Sequence, residues 1–404
     1  RYAYAKDSAE DRFLAATGNQ PTDYLYWDGS FYGNSVRREL EIQQTFRPWQ
    51  NMHVAWGAGY RRDELQSGAN FYGGRHLNRT VARLFGNTEW KPINWFTGNI
   101  GFSFDDDSLA GNSLSPRVSG NFHVSPENTV RIGYANATRT GSIFDYQGDR
   151  RLEAFALQNG TLIPASAQMY DRKFYGNPNM PSEKLESFEL GYLGDWRTQR
   201  MSLDVRGFLE KIPNRLMQVE RQINQANLCE LGSCGSVTAD FTTPTQNVRI
   251  HGVEYQARWQ PFESTRFMLS QSYIHISSNF LASFLNDPTI SFNSNLQRWQ
   301  YLTEKSAPHL ASSLLWIQQL PQGLEFSAAG YWQGKMKWTQ NSESGAYTRI
   351  DARLAYPFHI KNERGEISFT VQSLNGAHGE FKAYGSPDDR IVDRRSWLSI
   401  RLDY

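Results

Sequence analysis

The feature that most constrains this 404-residue chain is a two-residue alternation of apolar and polar side chains, repeated in segments of about ten residues. In 201–211, Met201, Leu203, Val205, Gly207 and Leu209 share one face, and Ser202, Asp204, Arg206 and Glu210 the other, because successive strand side chains point to opposite sides. The preceding segment sets Phe188, Leu190, Tyr192 and Trp196 against Ser187, Glu189 and Asp195. Only Arg197-Thr198-Gln199-Arg200 separates the two, which makes a hairpin. The unit recurs at 114–124 with 129–139, 247–260 with 266–278, 306–319 with 324–338, and 347–360 with 366–381. Upstream, 35–46 with 51–64 and 79–91 with 94–105 follow the pattern less cleanly, and 266–278 and 306–319 carry apolar residues on both faces. With the last segment, about fifteen strands are expected.

Short links alternate with long ones, roughly 65–78, 140–183, 214–246, 279–305, 339–346 and 382–389, rich in Gly, Asn, Ser, Pro and aromatics. A soluble sandwich would not place its long loops so regularly at one end, nor run its strands so often past about ten residues. The asymmetry predicts an all-β fold, a transmembrane antiparallel up-and-down β-barrel with short periplasmic turns and long extracellular loops. Asp204, Arg206, Glu254, Gln256, Arg258, Asp351, Arg353 and Asp403 would make a poor dry core, so their face is expected to line a wet lumen. Val253, Tyr255, Ala257, Trp259, Leu354 and Tyr356 are then left for hydrocarbon, where every backbone group must pair within a closed sheet.

Composition agrees. The 42 Lys+Arg against 41 Asp+Glu provide no field to steer nucleic acid. Hydrophobic residues are only 39% while aromatics reach 14%, which suits a wet interior and aromatic girdles. No window approaches about 18 consecutive apolar residues, the length of a transmembrane helix, and Arg1-Tyr2-Ala3-Tyr4 opens no signal peptide, so an export signal is expected upstream. The two cysteines, Cys229 and Cys234, are close enough to close a small loop disulfide. Two unrelated reduced thiols is the alternative; a zinc site built from two thiols alone lacks the usual four ligands. A disulfide would indicate an oxidising compartment. His-Glu-x-x-His, Gly-x-Ser-x-Gly and phosphate-loop motifs are absent, so no enzyme, cofactor or metal is expected.

Several stretches, in order, carry a family resemblance: Leu114-Ser115-Pro116-Arg117-Val118 leading to 130–140, 177–192, Val248-Arg249-Ile250-His251-Gly252-Val253-Glu254, and Ala307-Pro308-His309-Leu310-Ala311-Ser312. The last is the C-terminal strand, where Leu398, Ile400 and Leu402 alternate into a terminal aromatic, Tyr404. Together they resemble the C-terminal part of a TonB-dependent outer-membrane receptor. That resemblance implies a barrel of about 22 strands whose N-terminal plug and TonB-contacting segment would precede this chain. Residues 1–404 would be C-terminal barrel, with 1–34 an extracellular loop. It implies a location in the bacterial outer membrane, and Leu398, Ile400, Leu402 and Tyr404 as an assembly signal for the barrel-assembly machinery. It further implies partnership with the TonB energy-coupling complex, with outer-membrane lipid and lipopolysaccharide, and with a ferric siderophore or similar chelate as cargo. Importers of cobalamin, haem or other nutrients share the scaffold. A passive porin and an outer-membrane barrel hydrolase are alternatives of other classes.

For the ligand, the loops combine aromatics with cations: Tyr24, Tyr26, Trp27, Phe31 and Tyr32 near the start, then Phe71, Tyr72, Arg75 and His76, then Phe144, Tyr146, Arg150, Arg151, Tyr170, Arg172, Lys173, Phe174 and Tyr175. Arg and Tyr suit anionic, flat aromatic chelates through charge-assisted hydrogen bonds and stacking. Tyr146, Arg150, Arg151, Arg172, Tyr175, Tyr72 and Arg75 are the expected contacts, and 140–183 the expected lid. Asp105-Asp106-Asp107 is expected to be a solvated loop tip rather than a cation site.

Overall fold

The structure is a computed structural model that describes strands 13–16 and 24–27 and residues 33–158, 161–164, 170–222, 238–290, 296–339, 342–360, 363–382 and 389–403. In chain order its strands begin with β1 (Phe13–Ala16), β2 (Tyr24–Trp27), β3 (Asn34–Trp49), β4 (Met52–Gln66), β5 (His76–Ile93) and β6 (Phe96–Asp107). Next come β7 (Gly111–Ser125), β8 (Asn128–Arg139), β9 (Asp149–Gln158), β10 (Thr161–Pro164), β11 (Tyr170–Tyr175) and β12 (Glu183–Trp196). They continue with β13 (Met201–Gln222), β14 (Thr238–Phe262), β15 (Thr265–Phe280), β16 (Leu310–Gln319), β17 (Glu325–Gln333) and β18 (Met336–Thr339). The last are β19 (Ser342–Ser344), β20 (Tyr347–Ile360), β21 (Glu363–Gln372), β22 (His378–Lys382), β23 (Asp389–Val392) and β24 (Arg395–Asp403).

Fifteen of these, β3 to β8, β12 to β17, β20, β21 and β24, pair antiparallel in succession as one wall. Among the described residues no pairing joins β24 back to β3. The wall is the expected all-β, up-and-down architecture. In the turn from β16 to β17, Leu320 N–H donates to the Leu324 carbonyl at 2.7 Å and Gln322 and Gly323 take left-handed φ, 65° and 79°, so three residues reverse the chain.

Register makes the alternation collective. Ile132, Leu190, Gly207, Val253 and Tyr273 lie side by side on β8, β12, β13, β14 and β15. At the far end Leu354, Phe369 and Leu398 do the same. These side chains are exposed although apolar: Leu190 is 60% and Ile400 65% accessible. A soluble protein does not present such a continuous apolar exterior, and a wall against hydrocarbon requires it. Near the short turns, Trp259, Phe267, Trp316 and Phe326 form an aromatic row with ring centroids 5.4–6.4 Å apart, one side of a girdle. The opposite face carries ion pairs in place of a core. Arg131 reaches Asp204 two strands away, and Arg206 lies between Glu189 and Glu254. Gly191 makes the first reach possible, since a Cβ there would stand 2.9 Å from Arg131 Nε. Gly101 does the same for Arg117, which donates to Asn87 at 2.7 Å.

The long connections depart from expectation. Segment 140–183 is not irregular: it holds helix α1 (Ile143–Gln147), β9, β10 and β11. Between wall strands, β13 runs on to Gln222 and β14 starts at Thr238, so the two project together well past the expected ends at 211 and 247. Segment 279–305 holds α2 (Ala282–Leu285) and α3 (Leu296–Glu304), which pack Phe284, Ile290 and Trp299 against Val219. α3 lies against this end of β15, with Gln300 Nε2 donating to the Ser278 carbonyl at 2.9 Å, and the inward Ile276 of β15 and Val248 of β14 are buried. Three expected strands were too long, 324–338 among them: β17 ends at Gln333 and β18 belongs to another sheet. Residues 306–309 precede β16, and 366–381 splits at Gln372, after which β22 joins β18, β19 and β23 in a separate four-stranded sheet. In the N-terminal stretch β1 and β2 pair with each other, and β2 with β9.

Candidate ligand-binding site

The candidate loop residues are brought together on a folded platform. Ser142 caps α1 through a reciprocal box with Asp145, satisfying orphan donors at the helix start. Asp145 also accepts from Thr242 Oγ at 2.8 Å, tying the helix to β14. Phe144 stacks on Phe174 with centroids 4.0 Å apart and meets Phe71 edge-on. Phe71 and Phe174 are buried. Arg79 anchors the start of the segment: buried with its partner Asp107, it also donates to the Gly141 carbonyl at 2.8 Å and to Thr140 Oγ at 2.6 Å.

On this platform Asp149 accepts from Arg151 at 2.8 and 2.9 Å and from Arg172 at 3.0 Å. The Arg151 guanidinium lies 4.1 Å from the centre of the Tyr72 ring, and that of Arg172 lies 5.3 Å from Tyr175. Tyr175 in turn packs on Phe241, which Arg221 covers at 4.4 Å. Both arginines are thus held by a carboxylate and an aromatic face at once, an arrangement that fixes their direction. Burial lowers the pKa of Arg150, against the opposing charge of Asp240. Arg75 is exposed beside Gly73 and Gly74, whose φ of 81° and 65° form the turn into β5. Tyr146 lies beneath, 2% accessible, packed with Met180 and Leu216; burial raises the pKa of its phenol.

Of the acidic run, Asp107 is the partner of Arg79 and Asp105 of Arg83. Two of its three members therefore serve ion pairs rather than a solvated tip. Cys229 and Cys234 fall outside the described residues, as does Tyr404; Leu398, Ile400 and Leu402 lie on the exposed apolar face of β24.

A second concavity opens on the polar face of the wall. It has a volume of about 730 Å³ and is lined by Arg131, Asp204, Arg206, Glu254, Tyr331 and Tyr347 among others, and by none of the seven expected contacts. Arg349 lies 4.8 Å over the Tyr331 ring and pairs with Asp351. Tyr331, Tyr347 and Arg349 were missed because they stand outside the aromatic-rich loops. Their signal was there: Arg349 shares the inward parity of Asp351 and Arg353.

The family of TonB-dependent receptor-like β-barrels matches residues 1–375 of this chain. The chain belongs to that family. Its members are receptors rather than enzymes, and their place is the bacterial outer membrane. A curated relative, the iron-regulated outer membrane virulence protein of Vibrio cholerae serotype O1, is 23% identical over 339 residues, 81% of this chain and 45% of its own length. Among solved structures, a variant of the ferric enterobactin receptor from Pseudomonas aeruginosa in complex with enterobactin is similar over 94% of this chain and 54% of its own, with 13% identity and a TM-score of 0.64. The siderophore receptor PirA of the same organism is similar over 94% and 56%, with 14% identity and a TM-score of 0.61. The FrpB iron transporter from Neisseria meningitidis is similar over 94% and 58%, with 11% identity and a TM-score of 0.64. At such identities the structural likeness establishes the fold. The chain spans about half the length of the relatives it matches.

Proposed function

We propose that this chain forms most of the barrel wall of a receptor that imports a ferric siderophore, or a similar anionic chelate, with energy derived from TonB. The observation that carries the reading is the family match across residues 1–375 together with a fifteen-strand wall whose polar face is concave enough to hold a cavity of about 730 Å³. Cargo first meets the loops. There Arg151 and Arg172, each set against a tyrosine, present rigid cationic and aromatic surface of the kind that suits a catecholate-like ligand. Tyr72, Arg75, Arg150 and Tyr175 complete the contact surface, with Tyr146 supporting it from below. Asp149 joins Arg151 and Arg172, and the Phe71–Phe144–Phe174 stack lies under the same segment.

The same reading assigns residues 1–404 to the C-terminal barrel, with 1–34 on the extracellular side. It also gives Leu398, Ile400, Leu402 and Tyr404 a role in barrel assembly. Growth under iron limitation on a panel of ferric siderophores tests the cargo. Deleting the gene should abolish growth on at least one chelate, and replacing Arg151 and Arg172 with Gln should weaken uptake of that chelate. Survival of every ferric chelate in the deletion strain, with loss of cobalamin or another nutrient instead, would overturn the iron assignment and leave the receptor class standing.

A further inference from the structure

Halfway up the outward face of β13 to β17, hydrogen-bonding side chains interrupt the apolar surface. Val205, Tyr255, Gln271, Ser312 and Trp332 stand side by side in register on these strands. They share the outward parity of Val253, Tyr273 and Leu314, which are exposed. Their chain neighbours Glu254, Gln256, Ser270 and Ser272 line the lumen cavity on the other side. The girdle residues Trp259, Phe267 and Trp316 lie on the same strands as Tyr255, Gln271 and Ser312, each four residues nearer the short turns. Four residues climb about 10 Å at ~3.3 Å per residue and a tilt of ~40°. In a hydrocarbon band ~25 Å tall, the row therefore crosses the lipid side near mid-bilayer.

The polar members are linked but not satisfied. Tyr255 Oη donates to Gln271 Oε1 at 2.5 Å, and Gln271 Nε2 donates to Ser312 Oγ at 2.8 Å. An amide nitrogen carries two donors and a hydroxyl one. Among the described residues, the second Gln271 N–H, the Ser312 O–H and the Trp332 indole N–H meet no acceptor. Hydrocarbon supplies none, since water is excluded from it and the polar parts of lipids lie at its edges. Polar groups at this depth are costly unless a partner meets them, so the partner has to be protein at the same height. Two copies of one chain sit the same way up in a membrane. The axis of a closed pair then runs along the membrane normal, and each height meets itself. The row is self-complementary, because the Tyr255 and Ser312 oxygens retain lone pairs that accept. Beside it, Gly330 lies between Leu314 and Ile350, and a Cβ there would meet nothing within 4 Å. That notch admits the close approach that small residues give to membrane-embedded elements.

We propose that the outward face of β14 to β17, centred on Gln271 and Ser312, is an interface that receives a second copy of this chain within the outer membrane. The inference rests on the receptor reading only through the membrane-spanning wall and is independent of the cargo. The test uses the full-length protein in the outer membrane of cells that produce it, with Leu314→Cys and Ile132→Cys oxidised separately to form disulfides between copies. Unsubstituted protein, with its own Cys229 and Cys234, gives the background. Leu314 borders the row, whereas Ile132 is exposed on the same apolar face far from it, on β8. Leu314→Cys should give a covalent dimer, its composition read by mass spectrometry, and Ile132→Cys should give none above background. Gln271→Leu with Ser312→Ala should weaken association about tenfold or more, the scale of several hydrogen bonds made inside a bilayer. Energy transfer between labelled copies in vesicles, followed as lipid is added, reads that change, with heat-modifiable gel mobility confirming folded barrels. Comparing positions 314 and 132 leaves the row intact, so a misfolded double substitution does not spoil the test. Monomer alone at both positions, equal crosslinking at both, or a Leu314→Cys adduct with a different protein would overturn the proposal. Unchanged association of the folded double variant would do the same. Transport is not read, so failure here says nothing against it.

Discussion

Replacing Arg79 with Met should release the 140–183 segment at its root without unfolding the wall. Arg79 and Asp107 are 7% and 3% accessible, and the arginine also holds the Gly141 carbonyl and Thr140 hydroxyl that begin the 140–183 segment. Without it, Asp107 keeps only the backbone donors of Leu109 and Ala110, at 3.0 and 3.3 Å, and the Gly141 carbonyl loses its donor. Breaking a buried pair from one side costs about 3–5 kcal/mol, because a charge is left buried and unpaired. The wall hydrogen bonds of β5 and β6 do not depend on this pair, so the cost should appear as local opening. About 3 kcal/mol corresponds to more than a hundredfold in the local opening constant, at ~1.4 kcal/mol per tenfold. Hydrogen exchange of the folded protein in bilayers should show faster exchange at 140–148, with the wall strands unchanged. Adding Asp107→Leu should recover most of the loss, since an apolar pair replaces a buried ion pair at little cost. Unchanged protection at 140–148 in Arg79→Met, or a double variant worse than the single, would refute the reasoning.

Gly191→Val should push Arg131 off Asp204, because a Cβ there would stand 2.9 Å from Arg131 Nε; a loss of about 1–3 kcal/mol in chemical denaturation is expected, the usual scale of overpacking. Asp287 gives the 279–305 segment a pH dependence: burial raises its pKa, but bonds from Thr289 and the charge of Arg221 outweigh this and leave it lowered. A depressed carboxylate stabilises the fold above the unfolded pKa of about 4 and loses that contribution as pH falls through the folded value. Protease cleavage within 279–305 should therefore rise only below about pH 4, and Asp287→Asn should flatten the profile. Cys229 and Cys234 should form a disulfide, read as a two-proton mass deficit in unreduced protein; two free thiols would remove it.

The wall was legible in the sequence because a two-residue period survives any error in strand ends. Asp204 and Leu203 keep their faces whether β13 ends at 211 or 222. What the loops do was not legible, because their order comes from long-range contacts that no local pattern announces. Asp149 gathers Arg151 and Arg172 from two different strands, and Gln246 meets Thr303 of α3 across 57 residues. The inward apolar residues Val248 and Ile276 blurred the alternation, since they stand on the polar face yet are buried. Aromatic and cationic composition singled out the loop residues but could not show that Arg151 and Arg172 are engaged by the Asp149 carboxylate. The lumen cavity was overlooked because Tyr331 and Tyr347 look like girdle residues until register assigns the wall its faces.

The direction in which those faces point is the central claim, and spin-label accessibility along β12 and β24 measures it most directly. Single Cys substitutions at 187–192 and 397–402 in the full-length protein, labelled in bilayers, would be relaxed by lipid-soluble oxygen and by a water-soluble nickel chelate. Labels at Phe188, Leu190, Tyr192, Leu398, Ile400 and Leu402 should respond to oxygen, and those at Ser187, Glu189, Gly191, Trp397, Ser399 and Arg401 should not. An alternation of opposite phase, or no alternation along either strand, would contradict a wall whose apolar face meets lipid.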